Sequence, residues 1–352
     1  MNVSQKAQQY IDQIKRLTRK PITLMEVCGT HTNAISSSGI RHIMPSQLKL
    51  LSGPGCPVCV TDQKDIDWMI ALARTNKAII TTFGDLMRVP GTESSLAKEK
   101  SKGADIRVVY SPLDALKFTT NTKKPVVFLG VGFETTAPTI AATILKAQEQ
   151  KITNFFVLPV FKLIPPALKA IVQHPQINID GFILPGHVST IIGQKPYEFL
   201  VKEFYKPCAI SGFEPLDILE SIYILLTQIK NHQPEVAIQY KRSVNKAGNL
   251  RAQKVMNQVF EPTDANWRGL GKIKNSGLCF TSDYQNFDVR NYFNIKIPKP
   301  KKTPCRCGDI LLGLITPSQC PLFANSCRPD NPYGPCMVSS EGACSAYYKY
   351  ER

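Results

Sequence analysis

With 352 residues, 43% of them hydrophobic and 20% charged, the chain is long enough for two or three domains and has an ordinary globular balance. No run approaches a membrane span, and residues 1–20 lack the apolar core of a secretory signal, so a cytoplasmic location with no membrane attachment is expected. The formal charge of +16 gathers in residues 241–254 and 295–306. No recognition motif with interleaved aromatics accompanies that charge, so a solvated surface, an acidic protein partner or anionic ligands fit better than nucleic acid.

Tyr10, Ile14 and Leu17 lie at helical spacing and predict an N-terminal helix within residues 1–20. Between 21 and 215 a short β-rich run, a Gly- or Pro-containing break and a helical stretch recur. The runs are 22–27, 48–51, 78–83 and 106–110, then 126–131, 155–161, 181–184 and 208–211. Near-continuous apolar runs of this length read as buried parallel strands joined by crossover helices. The expectation is therefore α/β: two small parallel-sheet, Rossmann-like domains over 21–120 and 121–215, facing a cleft. A third, mixed domain over 216–352 follows, more polar and basic, with Pro298–Pro304 as a stiff lead into a cysteine-rich tail.

Ligands of such sheets bind beyond the carboxyl ends of the strands, which directs attention to the residues after each run. Glu26-Val27-Cys28-Gly29-Thr30-His31-Thr32 follows the first. Gly53-Pro54-Gly55-Cys56-Pro57-Val58-Cys59 follows the second. Cys56 and Cys59 sit on a strand-to-helix turn, with Thr61 as the expected N-cap of the next helix. Their spacing allows a disulfide or a shared soft metal, and a helix N-terminus favours thiolate. Half of a structural zinc site is the plainer alternative. Cys28, beside Glu26, His31 and two threonines, reads as a reactive thiolate rather than a buried small hydrophobe. Cys208 and Cys279, in apolar settings, read as structural.

In the second half, Gly132-Phe133-Glu134-Thr135-Thr136 follows a strand, as do Pro185-Gly186-His187-Val188-Ser189 and Gly212-Phe213-Glu214. Gly130-x-Gly132 looks like part of a dinucleotide fingerprint. Thr135 stands at the third glycine position and Glu134 puts negative charge where a pyrophosphate would lie, which argues against nucleotide. Thiols at the mouth of the first domain would thus face acid and imidazole groups at the mouth of the second.

Six of the eleven cysteines, Cys305, Cys307, Cys320, Cys327, Cys336 and Cys344, crowd the last 48 residues. Their spacing matches neither zinc fingers nor bacterial ferredoxins. With few histidines available, four thiolates on an iron–sulfur cluster and two left as a nearby redox pair fit better than two zinc sites sharing cysteines.

Together these stretches resemble the HypD family of nickel–iron hydrogenase maturation factors. The match runs through Met25-Glu26-x-Cys28-Gly29-Thr30-His31-Thr32, the Gly53–Cys59 turn, Gly132–Pro138, Pro185–Ser189 and the tail. The tail pieces are Cys305-x-Cys307-Gly308 and Gly334-Pro335-Cys336-Met337-Val338-Ser339-Ser340-Glu341-Gly342-x-Cys344. The resemblance implies a scaffold on which an iron carrying two cyanides and one carbon monoxide, Fe(CN)2CO, is assembled. It implies Cys28 as the iron ligand and Cys56/Cys59 as a redox pair. It also implies a [4Fe–4S] cluster on Cys305, Cys320, Cys327 and Cys344, with Cys307 and Cys336 as an adjacent disulfide. Expected partners are the small chaperone HypC, whose N-terminal cysteine shares the iron, and HypE as cyanide donor with HypF upstream. Thr30, His31, Thr135, Thr136, His187 and Ser189 are the expected polar lining, with Thr30, His31, Thr135 and His187 as donors to cyanide nitrogens and Glu134 as an acid. An iron–sulfur-dependent disulfide reductase acting on other proteins is the competing reading.

Overall fold

Apolar runs rich in β-branched residues become strands here, and their ends set the site. The computed structural model describes residues 2–120, 122–300 and 303–352. Its strands are β1 (Ile22–Glu26), β2 (Leu48–Ser52), β3 (Ile79–Thr82), β4 (Ile106–Val108), β5 (Val126–Gly132), β6 (Phe155–Phe161), β7 (Gly181–Pro185), β8 (Cys208–Ser211), β9 (Val236–Ile238), β10 (Phe260–Trp267) and β11 (Gly271–Phe280). The first eight coincide with the eight expected runs. All of β5 and β6 is buried, as strands covered on both faces by helices must be.

The strands sort into two parallel sheets, ordered β2-β1-β7-β8-β9 and β4-β3-β5-β6, plus an antiparallel hairpin β10-β11. This corrects the expected division. β1 and β2 pair with β7 and β8, so the first unit is split in sequence around the second, and 120/121 is not a boundary between sheets. Nor is 216 the start of a separate unit. Helix Pro215–Asn231 packs on β8 with its Ile218, Ile222 and Leu225 fully buried, and β9 completes that sheet. The physical reason is that a parallel pair needs a crossover but sets no limit on its length. The whole of the second sheet is inserted between β2 and β7. Asn121, at the expected boundary, and Lys301 and Lys302, in the expected stiff lead, lie outside the described residues.

Helix Val3–Leu17 starts at a capping box between Asn2 and Gln5 and buries Ile14 against helix Pro215–Asn231. Tyr10 meets Tyr223 with ring centroids 5.6 Å apart. The tail does not build a core of its own: Cys307, Ile310, Leu311, Cys336, Met337 and Cys344 join the same buried cluster as Met25, Leu51, Cys56 and Cys59. Among the described residues no helix is long and apolar enough to cross a membrane.

Ile222 is fully buried in this helical layer. Ile222→Ala should lower unfolding stability by about 2–5 kcal/mol in denaturant titration. Leu250→Ala, at an exposed position, should change it by about 0.5 kcal/mol or less.

Candidate functional site

Cys28 is the N-cap of helix Gly29–Ser37. The backbone N–H groups of Thr30 and His31 face its sulfur closely enough to favour the thiolate without forming a capping hydrogen bond. The thiol is only 7% exposed. Burial, then the Glu341 carboxylate, pushes its pKa up to about 12 despite those two donors. The close fit depends on glycine. A Cβ on Gly55 would fall 2.2 Å from the Cys28 nitrogen, and the Gly29 N–H donates to the Gly55 carbonyl at 2.9 Å. Buried Glu26 accepts from the Cys28 N–H at 3.1 Å and from the Thr32 hydroxyl.

Cys56 in turn caps the short helix Pro57–Val60, its sulfur accepting the Cys59 N–H at 3.3 Å. The next helix, Gln63–Arg74, is capped by Asp62 rather than by Thr61 as expected. The Thr61 hydroxyl is already spent on the Pro57 carbonyl. The Cys59 and Cys56 sulfurs lie 2.7 Å apart, and Cys307 and Cys336 2.9 Å. The pairs adjoin: Cys59 lies within electrostatic reach of Cys336, and Cys307 of Cys305. Five sulfurs thus form one run: Cys305, Cys307, Cys336, Cys59, Cys56. At its far end the Cys56 thiol donates to Ser339 Oγ at 3.4 Å. Arg268, on the hairpin turn, donates to the Thr61 carbonyl and Gln63, leaves Nη2 buried without a partner, and pulls the pKa of Cys305 and Cys307 downward.

The strand order puts Cys56, Cys28, His187 and Phe213 side by side at the carboxyl end of one sheet. Thiols and imidazoles therefore share a domain mouth, correcting the expected split between two. Phe213 is sandwiched between His31 and His187, with ring centroids at 4.7 and 3.9 Å. His31 is fully buried and its Nε2–H faces the Gly212 and Ser211 carbonyls at 2.9 and 3.3 Å. Burial lowers its pKa to about 4, so Nδ1 is a bare, unpartnered acceptor. It presents a lone pair, not the donor expected from the sequence. His187 is largely exposed, and burial of the remainder lowers its pKa.

From the other sheet comes Glu134, buried, with Oε1 accepting the Ile164 N–H at 2.8 Å and Oε2 unpartnered. Burial raises its pKa to about 7. The buried Tyr197 hydroxyl lies in electrostatic reach of both Glu134 and Cys28 and meets Ser189 Oγ at 3.2 Å. Ser189 is fully buried and also donates to the Pro185 carbonyl, so it supports Tyr197 rather than lining an opening. The Thr30 hydroxyl donates to Glu341 at 3.2 Å. Thr135 and Thr136 are half-buried, and the Thr136 side chain covers the Cα of Gly132, which closes the space a dinucleotide cradle would use.

Burial raises the pKa of Cys344 and Cys327; the nearby Cys305 and Cys320 add to both, and Cys327 adds to that of Cys344. No group of three or more His, Cys, Asp or Glu among the described residues is drawn in tightly enough for a single metal ion. Cys320, Cys327 and Cys344 are buried and Cys305 is half-buried. Cys208 is fully buried at the start of β8. Cys279, expected in an apolar setting, is instead partly exposed on β11. Three groups were not legible in the sequence as part of this site: Glu341, Tyr197 and Asp85. Burial raises the Glu341 pKa, and Asp85, just after β3, adds to it from within electrostatic reach. Glu341 sat in plain view within the tail motif, whereas nothing local marks Tyr197.

Fold and site define a class: two-sheet α/β proteins with a helix-capping thiol at the strand ends and a run of sulfurs leading to a cysteine-rich tail. The chain belongs to the HypD family, whose profile, described as the hydrogenase formation hypA family, matches residues 5–351. It is 44% identical over 339 residues to hydrogenase maturation factor HypD of Escherichia coli, covering 95% of this chain and 90% of that one. It is 45% identical to HypD2 of Bradyrhizobium diazoefficiens over 344 residues, again 95% and 90%. A putative hydrogenase expression/formation protein of Methanocaldococcus jannaschii is 43% identical over 350 residues, 97% and 96%.

A carboxyl whose folded pKa of about 7 exceeds its ordinary 4.5 favours the folded state below pH 4.5. That contribution is lost as pH rises through 7. Glu134→Gln removes the titration, so relative to wild type the variant should gain up to about 3 kcal/mol between pH 4.5 and 8. Denaturant titration across that range checks it, and a pH-independent difference would contradict it. Glu341→Gln, by removing the nearest anion, should speed iodoacetamide alkylation of Cys28 at pH 8, read by peptide mass spectrometry.

Proposed function

We propose that this hydrogenase maturation factor is the scaffold on which iron bearing two cyanides and one carbon monoxide is assembled, with Cys28 as the iron ligand. The observation that carries this reading is the buried Cys28 sulfur at the N-terminus of helix Gly29–Ser37, at the strand ends and close to acid, hydroxyl and imidazole groups. Low-spin iron with π-accepting ligands suits a soft thiolate. Binding requires the Cys28 proton to leave, and Glu341, itself held up by burial and within electrostatic reach of the sulfur, is a carboxylate that could take it. The Thr30 hydroxyl, released from Glu341, and the exposed His187 ring would then be free to donate to cyanide nitrogens. Access to Cys28 passes Glu341, so the small chaperone HypC, sharing the iron through its own cysteine, would engage this mouth. HypE, supplied by HypF, would deliver cyanide there.

A [4Fe–4S] cluster on Cys305, Cys320, Cys327 and Cys344 would supply single electrons. Cys307 and Cys336 then stand between those ligands and the Cys59–Cys56 pair, and thiol–disulfide exchange along the sulfur run would carry two electrons to the turn beside Cys28. The same run favours a second reading, a disulfide reductase acting on other proteins.

Infrared spectra of anaerobically purified protein with its small chaperone separate the two. The scaffold reading expects bands of metal-bound cyanide and carbon monoxide, absent in Cys28→Ala while tail iron persists. Their absence from wild type would leave the reductase. Iron analysis should give about four irons per chain in wild type beyond the cargo. Cys320→Ala should lose them while its sheets persist by circular dichroism.

A further inference from the structure

We propose that the cavity between the outer edge of β6 and the hairpin β10–β11 binds a small oxyanion, a carboxylate or phosphate group held by Lys162 and Arg290. The cavity measures about 280 Å³, room for a small organic acid or a phosphate with its water. It does not depend on the assembly reading, since neither Cys28 nor any sulfur of the run lines it.

Lys162 follows β6 directly, its backbone N–H donating to the Gly132 carbonyl at 3.0 Å. The residue thus stands at the carboxyl end of a strand, where open sheets hold ligands. Its side chain is 3% exposed, and its nearest carboxylate oxygen, on Asp65, is 3.9 Å from Nζ. That is an ion-pair distance beyond hydrogen-bond length. Among the described residues the ammonium makes no hydrogen bond, although it has three N–H groups to donate. Asp65 is itself taken by Arg290, whose Nη2 lies 3.1 Å from its other oxygen. Two cations therefore share one near carboxylate.

The other acids at hand are committed. Asp62 caps the helix through the Lys64 N–H at 2.9 Å, and Asp264 holds Lys272 and the Asn275 N–H, both at 3.1 Å. A largely buried ammonium with no hydrogen bond from the protein is left to the water of the cavity, and an oxyanion between Lys162 and Arg290 would supply both with charge-assisted hydrogen bonds. Burial also pushes the Lys162 pKa down, with Asp65 opposing. A bound anion would push it back up and make the amine less nucleophilic.

The test is calorimetric titration of the full-length protein at pH 7 and low chloride with inorganic phosphate and, separately, acetate. Saturable one-to-one binding of either probe is expected, weakened at least tenfold in Lys162→Met and unchanged in Lys169→Met, which alters an exposed lysine paired with Glu203. The probe that binds tells which oxyanion class is taken. In case Lys162→Met fails to fold, acetylation of wild type is read by peptide mass spectrometry with and without the binding probe. The probe should slow modification of Lys162 several-fold and leave Lys254 unaffected. No saturable binding of either probe, or equal affinity in Lys162→Met, overturns the proposal. Equal Lys162 labelling with and without a bound probe overturns it as well.

Discussion

The close docking of the tail onto the carboxyl ends of the first sheet is the constraint on which the rest depends. Gly29 carries no side chain because the Glu341 Cβ and carbonyl would lie 2.4 Å from one, and Gly342 is pressed likewise against the Cys336 backbone. Ser339 meets Cys56, and Arg41 ties Glu351 at 2.6 Å while lying over the Tyr347 ring. The contacts of Gly29, Cys56 and Arg41 bring residues about 280 to 310 positions apart in sequence into one layer. Without them, Cys28 would open to solvent and the sulfur run would break between Cys59 and Cys336.

That docking also sets the electrostatics. The tail carries Glu341 into the space over Cys28 and excludes water from it, so the thiol, Glu26, Glu134 and His31 are all biased toward their neutral forms. A site in which burial outweighs local donors releases or accepts protons when a charged ligand arrives. At the other end of the run the Cys305 and Cys307 thiols are likewise held neutral by neighbouring sulfurs and by burial, and Arg268 only partly opposes this.

The elements were legible where burial imposes a pattern. Most of the eight strands announce themselves as apolar runs because both of their faces are covered, whereas Val108 of β4 and Lys49 of β2 are exposed. β9, only three residues long, and the hairpin, whose β10 buries little beyond Phe260 and Trp267, carry no such signal. The partition of strands between sheets was not legible either, because crossover length leaves no mark on residue type. Cys28, Cys56 and Cys59 could be singled out by their position after strands. Their neighbours Tyr197 and Asp85 are ordinary residues locally, given meaning by packing across 100 or more positions. His31 was misread as a donor because two backbone carbonyls 180 residues away fix its tautomer.

The account stands on the continuity of the sulfur run, and a trapping measurement addresses it without any bound metal. In a Cys56→Ala variant, Cys59 loses its near partner and its remaining neighbour is Cys336. Mild oxidation with diamide followed by peptide mapping should then yield a Cys59–Cys336 cross-linked peptide, and wild type should yield Cys56–Cys59 and Cys307–Cys336 instead. A variant in which Cys59 stays a free thiol while Cys307 and Cys336 are oxidised to each other would contradict the account.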